Sequence, residues 1–252
     1  MTQLVAVLAG THQPQVSAAL ADRLQLPLVD AKAGTAYPLL LGFVEQRLSL
    51  WQTGEKMPGP VWVDFSAGAM AHRRKAGQNE LLGKAVGVKQ GRCPTVWDAT
   101  AGLGRDSFVL ADSGCTVYAC ERSAIVAALL ADGIARAQLL EHSAEAAARM
   151  QLVTADSLAA TVPDSVEVIY LDPMFPARKK SAQVKKDMQV LQLLPGTGAS
   201  GEALLPWAMA QDVARVVVKR PLRAPFLTAA KPSHSIRGKA VRFDVYVKRA
   251  LA

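Results

Sequence analysis

The chain has 252 residues, half of them hydrophobic, with 29 Lys and Arg against 21 Asp and Glu and a net charge of +8. Such a composition excludes a disordered or low-complexity chain and suits one large folded domain with a smaller appendage. Three cysteines, Cys93, Cys115 and Cys120, without a Cys-x-x-Cys pair argue against a disulfide framework or a zinc site, and no apolar run approaches the roughly 18 residues of a membrane span.

The N-terminus, Met1-Thr-Gln-Leu-Val-Ala-Val-Leu8, lacks the basic region of a signal peptide and reads as a strand over Leu4 to Leu8, so a cytoplasmic location is expected. A helix over Gln15 to Leu24 follows, then an apolar strand near Pro38 to Phe43 with a partner around Arg47 to Trp51. After the turn Pro58-Gly-Pro60 another strand is predicted over Val61 to Phe65. The stretch Ser66-Ala-Gly-Ala-Met-Ala-His-Arg-Arg-Lys75 mixes small residues and cations. It predicts a loop that approaches cofactor or RNA and leads into a helix, with Arg73 and Arg74 as candidate phosphate contacts. Residues 1–90 are expected to form a small N-terminal α/β subdomain and residues 91–252 the main domain.

From residue 91 onward strands and helices alternate regularly, which predicts an α/β doubly wound sheet. Val96-Trp-Asp-Ala-Thr-Ala-Gly-Leu-Gly-Arg-Asp-Ser-Phe108 begins as a short strand, ends in Asp98, and turns through Gly102 and Gly104 into a helix from Arg105. A strand, glycine turn and helix in that order bring bare backbone N–H groups and a helix N-terminus to one point, where polar cofactor groups can bind. A second strand, Thr116 to Cys120, ends at Glu121, placed to accept both ribose hydroxyls of an adenosine. A helix from Arg122 carries Ile125, Val126, Leu129, Leu130 and Ile134 on one broad face. A third strand, Leu152 to Ala155, delivers Asp156 and Ser157 to the same edge, either against an adenine or as the cap of a following helix. A dinucleotide fingerprint wants a third glycine where this chain has Ser107, which counts against a nicotinamide or flavin enzyme. The longer Asp-x-x-x-Gly-x-Gly form resembles instead the first motif of class I methyltransferases, whose cofactor is S-adenosylmethionine.

Val168-Ile-Tyr-Leu171 is a continuous apolar run, as expected of a central parallel strand, and it stops at Asp172-Pro-Met-Phe175. This resembles the Asp/Asn-Pro-Pro-Tyr/Phe motif of amino-methyltransferases, with Met174 in place of the second proline. The resemblance gives Asp172 and the Pro173 carbonyl the role of accepting hydrogen bonds from a target NH2, and Phe175 that of stacking on the base. A nucleobase amine is a poor nucleophile because its lone pair is delocalised, and orienting it can supply several kcal/mol of the barrier. The target must be unpaired or flipped out.

Cations crowd the same region. Arg178, Lys179 and Lys180 follow the clamp directly, and Lys219 and Arg220 follow the strand Val216 to Val218; all five are candidate contacts to substrate phosphates. Val241-Arg-Phe-Asp-Val-Tyr-Val247 alternates strictly and predicts a half-exposed antiparallel last strand. The four histidines show no metal-ligand spacing, and no metal is expected.

Asp-Phe-Ser-Ala-Gly-Ala-Met-Ala-His-Arg-Arg-Lys, Lys-Ala-Val-Gly, the glycine turn, Leu-Asp-Pro-Met-Phe-Pro and Val-Val-Val-Lys-Arg-Pro together resemble the ribosomal RNA small subunit methyltransferase J family over residues 61–247. That resemblance implies a class I methyltransferase fold, S-adenosylmethionine as cofactor, and N2-methylation of guanine 1516 in 16S RNA. It implies cofactor contacts from Arg105, Asp106, Glu121, Arg122, Asp156, Ser157 and Asp172, beside Asp98, Gly102 and Gly104 of the turn. The implied partner is 16S RNA or the small ribosomal subunit; the sequence leaves the oligomeric state open between monomer and weak dimer. The residues alone leave open guanine or adenine as target, and leave a noncatalytic RNA-binding assembly factor as a further alternative.

Overall fold

The computed structural model describes residues 4–10, 14–65, 78–173, 186–194 and 201–251, and the secondary structure falls into two sheets. The smaller is built from β1 (Val5–Leu8), β2 (Leu28–Val29), β3 (Leu39–Val44) and β4 (Arg47–Gln52), in the order β2-β1-β3-β4. Helix α1 (Pro14–Leu24) connects β1 to its parallel neighbour β2, and the short α2 (Ala31–Gly34) leads on to β3, which is parallel to β1. β3 and β4 form a tight hairpin whose two turn residues, Glu45 and Gln46, both lie at positive φ, as a two-residue turn that follows the strand twist requires.

The strand expected over Val61 to Phe65 is reduced to one bridge, between Leu50 and Val61. Its apolar side chains are drawn elsewhere. Val63 packs on Gly133, and Phe65 stacks on Phe108 with ring centroids 4.4 Å apart, so the backbone leaves the sheet edge.

The larger sheet holds β5 (Val96–Asp98), β6 (Val117–Glu121), β7 (Met150–Thr154), β8 (Val168–Leu171), β9 (Arg215–Pro221), β10 (His234–Arg237) and β11 (Val241–Val247), in the order β10-β11-β9-β8-β5-β6-β7. The five strands from β7 to β9 are mutually parallel and β11 runs antiparallel to β9. This is the doubly wound sheet with an antiparallel last strand that the class I methyltransferase resemblance implies. The chain runs outward from β5 through β6 to β7, then returns to place β8 on the other side of β5. Such a reversal opens a crevice at the carboxyl ends of β5 and β8, where α/β sheets bind their ligands.

Helices cover both faces. α3 (Gln78–Val86), α4 (Arg105–Asp112), α5 (Ala124–Gln138) and α6 (Glu141–Ala148) pack on one side, and α8 (Gly201–Ala210) packs on the other against β8 and β9; α7 (Lys186–Leu191) lies near β4. α5 starts two residues later than Arg122 because Ser123 caps it, its hydroxyl accepting the Val126 N–H. α3 rests on β9, β11 and α4, so residues before 90 contribute directly to the larger sheet's cover. Alternate residues of β8 divide between two apolar clusters: Val168 and Tyr170 join the larger, Ile169 and Leu171 the one under α8.

β11 corrects one expectation. Its alternation is strict, but Arg242 and Asp244 are buried rather than solvated. Arg242 Nε lies 2.9 Å from Asp244 Oδ1, and its Nη1 donates to the carbonyls of Leu222 and Ala224 at 2.9 and 2.7 Å. The polar face is paired internally, which is how a buried charge is tolerated. Among the described residues no helix is long and apolar enough to cross a membrane.

Candidate functional site

The crevice is shaped by the turn after β5. Gly102 and Gly104 have φ of 55° and 71°, conformations that side chains resist. At Gly104 a Cβ would also come within 2.4 Å of Leu130 Cδ1, so this position is closed to any larger residue. Gly102 is different: a Cβ there would meet nothing nearer than the Thr100 carbonyl oxygen at 3.9 Å, on the wall of a cavity. Beneath the turn, Asp98 is sealed from solvent and organises it, accepting the Thr100 N–H at 3.1 Å and the Ser107 hydroxyl at 2.5 Å. Burial pushes the Asp98 carboxyl up to about 7, against the pull of those two hydrogen bonds. Ser107, where a dinucleotide fingerprint has glycine, is thereby tied to the motif acid.

Glu121 closes the other side of the turn. At the carboxyl end of β6, its Oε2 accepts the Gly102 N–H at 2.9 Å and its Oε1 the Ser123 N–H at 2.7 Å. Burial raises its pKa while these bonds oppose the rise. Asp156 and Ser157 follow β7 and cap no helix. Asp156 accepts the Leu158 N–H at 3.0 Å in a local turn, and Ser157 donates to the Ala99 carbonyl at 2.8 Å, tying the end of β7 to that of β5. Asp172 stands at the end of β8, its N–H donated to Thr100 Oγ1 at 2.7 Å. Pro173 is buried against Gly201, where α8 begins.

One cavity brings together Gly102, Glu121, Arg122, Asp156, Ser157, Asp172 and Pro173 of the expected residues. Asp98, Gly104, Arg105 and Asp106 do not line it. Arg105 pairs with Asp187 of α7, and Asp106 faces Tyr170 and Lys219 behind the cavity wall. The expected phosphate contacts Lys219 and Arg220 are placed inward. Lys219 joins Asp106 and Asp172, and Arg220 is buried with its guanidinium donating to the Pro225 carbonyl at 2.8 and 3.1 Å. Phe175, Arg178, Lys179, Lys180, Arg73 and Arg74 lie outside the described residues.

Sequence reasoning missed several of the cavity's residues. Thr100 carries a visible signal, a hydroxyl two residues after the motif acid. Cys120, Val126, Leu191 and Leu204 supply apolar wall from four separate elements, and no local pattern singles them out. The cavity therefore pairs two acids, Glu121 and Asp156, and a bare glycine turn with apolar lining on one side, and a carboxylate followed by a proline, Asp172 and Pro173, on the other.

A SAM-dependent methyltransferase family model matches residues 19–248. Ribosomal RNA small subunit methyltransferase J of Pseudomonas paraeruginosa (strain DSM 24068 / PA7) is 48% identical over 236 residues, which cover 92% of this chain and 89% of that protein. The protein of the same description from Ectopseudomonas mendocina (strain ymp) is 46% identical over 245 residues, covering 95% and 92%. Among solved structures, a SAM-dependent methyltransferase from Neisseria gonorrhoeae superposes with a TM-score of 0.74 at 35% identity, covering 98% of this chain and 97% of that one.

Proposed function

Because the chain belongs to the ribosomal RNA small subunit methyltransferase J family, within the SAM-dependent methyltransferases, we propose that it methylates the exocyclic N2 amine of a guanine in 16S RNA, at position 1516. The observation that carries this reading is the placement of Asp172 and Pro173 at the end of β8, in the same cavity as Gly102 and Glu121.

The residues present fit S-adenosylmethionine. Glu121 offers a carboxylate to the ribose hydroxyls, the open face of Gly102 admits close approach to the backbone, and Val126, Ala155 and Leu204 give apolar wall for an adenine. When bound, the cofactor supplies an electrophilic methyl group on a sulfonium. Asp172 and the Pro173 carbonyl accept hydrogen bonds from the two N–H groups of the target amine, which fixes its plane and aims its lone pair. The proton shed after methylation passes to Asp172 or to water. Substrate phosphates are held by the basic segments around residues 73–74 and 178–180, positioning the RNA without reading its sequence.

The test is methyl transfer from labelled S-adenosylmethionine to small subunits and to free 16S RNA, both from cells lacking the protein, with nucleoside analysis. A single N2-methylguanosine is expected, and Asp172→Ala is expected to abolish its formation while the fold survives. N6-methyladenine as the product would move the assignment to the other amine. Full activity of Asp172→Ala would remove the clamp from the mechanism.

A further inference from the structure

Lys219 is the least expected occupant of the site's surroundings. It lies in β9, beside β8, and its side chain is only 19% exposed. Its Nζ is 2.5 Å from Asp106 Oδ2 and 2.8 Å from Asp172 Oδ2. The same Asp106 oxygen accepts the Tyr170 hydroxyl at 2.7 Å. Three elements, α4, β8 and β9, thus converge on one ammonium group that joins the half-buried Asp106 carboxylate to the one at the cavity.

The electrostatic setting is crowded with acids. Asp98 of β5 and Asp106 of α4 both act on the same neighbourhood as Asp172, Tyr170 of β8 points into it, and Glu121, Arg122 and Asp156 share its cavity. Arg105 and Asp187 are paired with each other near Asp106. Carboxylates gathered in a poorly solvated place raise one another's pKa, and one of them takes up a proton unless a cation is held beside it. A protonated Asp172 would present an O–H donor where the target amine needs an acceptor. Burial disfavours charge on Lys219, but Asp106 and Asp172 outweigh it and hold the ammonium form well above the ordinary lysine value. Lys219 is therefore a fixed cation and not a proton acceptor.

We propose that Lys219 is a positioning residue of the methyl transfer, keeping Asp172 ionised and its Oδ2 fixed so that the carboxylate can accept from the target amine. This rests on the reading of Asp172 given above. Asp106 and Tyr170 hold Lys219 in turn.

The experiment is the pH dependence of kcat for wild type, Lys219→Met and Lys219→Arg on small-subunit RNA, with S-adenosylmethionine affinity measured alongside. Removing an opposite charge at this distance shifts a carboxyl by ~1–3 pH units, so the acid limb of Lys219→Met moves up by about that much. The variant is then weakest at the acid end of a series from about pH 5 to 8 and regains up to ~10-fold per pH unit as pH rises, more steeply than wild type, which varies only as the titration of Asp98 near 7 carries it. Lys219→Arg keeps the charge and the wild-type profile, and the cofactor affinity measured alongside separates weaker binding from loss of the ionised acceptor. A Lys219→Met profile parallel to wild type at any kcat, or a Lys219→Arg profile with its acid limb moved up, overturns the proposal. Should Lys219→Met fail to fold, Lys219→Gln removes the charge while keeping a donor between the two carboxylates, and it carries the same expectation of a rising profile, one parallel to wild type again overturning it. Full activity of Asp172→Ala defeats the underlying reading, whereas an inactive Asp172→Ala with a Lys219→Met profile parallel to wild type defeats this inference alone.

Discussion

Asp98 shows how far a single side chain can work against its own fold. It is fully enclosed at the end of β5, both oxygens are engaged by Thr100 and Ser107, and its pKa is nonetheless pushed from 3.8 up to about 7, first by burial and then by Asp106 and Asp172 nearby. A carboxyl that holds its proton more tightly when folded favours the native state at low pH. That contribution is full below the unfolded value, is lost as pH climbs toward the folded value, and stays lost above it. Asp98→Asn cannot ionise, so it should gain on wild type between about pH 4 and 7, by at most about 1.4 kcal/mol per pH unit. Urea titrations at several pH values across that window measure the difference, and a constant difference would contradict a raised native pKa. At this scale the sequence showed the acids of the site and where their strands end, because each follows an apolar run. It misled on Lys219 and Arg220, which sit in a basic run that reads as solvated. The partners that turn Lys219 inward are 113 and 47 residues away, at Asp106 and Asp172, and Arg220 meets a carbonyl across a turn; no local pattern encodes either contact.

Two strands were legible to the residue, one as a continuous apolar run and one by strict alternation. Val168–Leu171 and Val241–Val247 form where the pattern places them. The segment after Val61 was not, because its alternation is equally consistent with pairing in a sheet and with packing on a helix. What decides is Gly133, in the middle of α5: a Cβ there would lie 2.3 Å from Val63 Cγ1 and 2.5 Å from Val63 Cβ, so the glycine exists to let this segment lie against the helix. Gly133→Ala sets two effects against each other. Helix propensity gains up to about 1 kcal/mol, whereas overpacking against a stiff β-branched side chain costs about 1–3 kcal/mol. The clash is too close to relax by a few tenths of an ångström, so the variant should be less stable by about 1–2 kcal/mol, read from the urea midpoint. Adding Val63→Ala should recover part of the loss. An unchanged midpoint in the single variant would mean that the segment does not press on α5.

The chain changes sheet between β4 and β5, yet the hydrophobic interior does not stop there. Val5, Val7, Leu39, Leu41 and Leu50 of the smaller sheet belong to the same buried cluster as Leu129, Leu130, Val96 and Val168. α5 is the shared element, touching β4 on one side and β6 and β7 on the other. Polar contacts reinforce it: Asp132 accepts the Leu48 N–H at 3.2 Å, and Arg136 reaches both Asp132 and the Val63 carbonyl. Hydrophobic periodicity marks which face of a helix is buried and is silent on what covers it, so α5 reads from sequence as an ordinary sheet-covering helix. If one apolar cluster spans both sheets, losing either exposes the other's inner face, and the two should unfold together. Two variants would test this, one keeping only Trp51 of β4 and the other only Trp97 of β5 as a fluorescent reporter. Coincident urea transitions are expected at the two reporters, matching the loss of helical circular dichroism. A distinctly earlier transition at Trp51 would mean that the smaller sheet is a separable attachment, and would free residues 1–60 to be removed without loss of the cavity at β5 and β8.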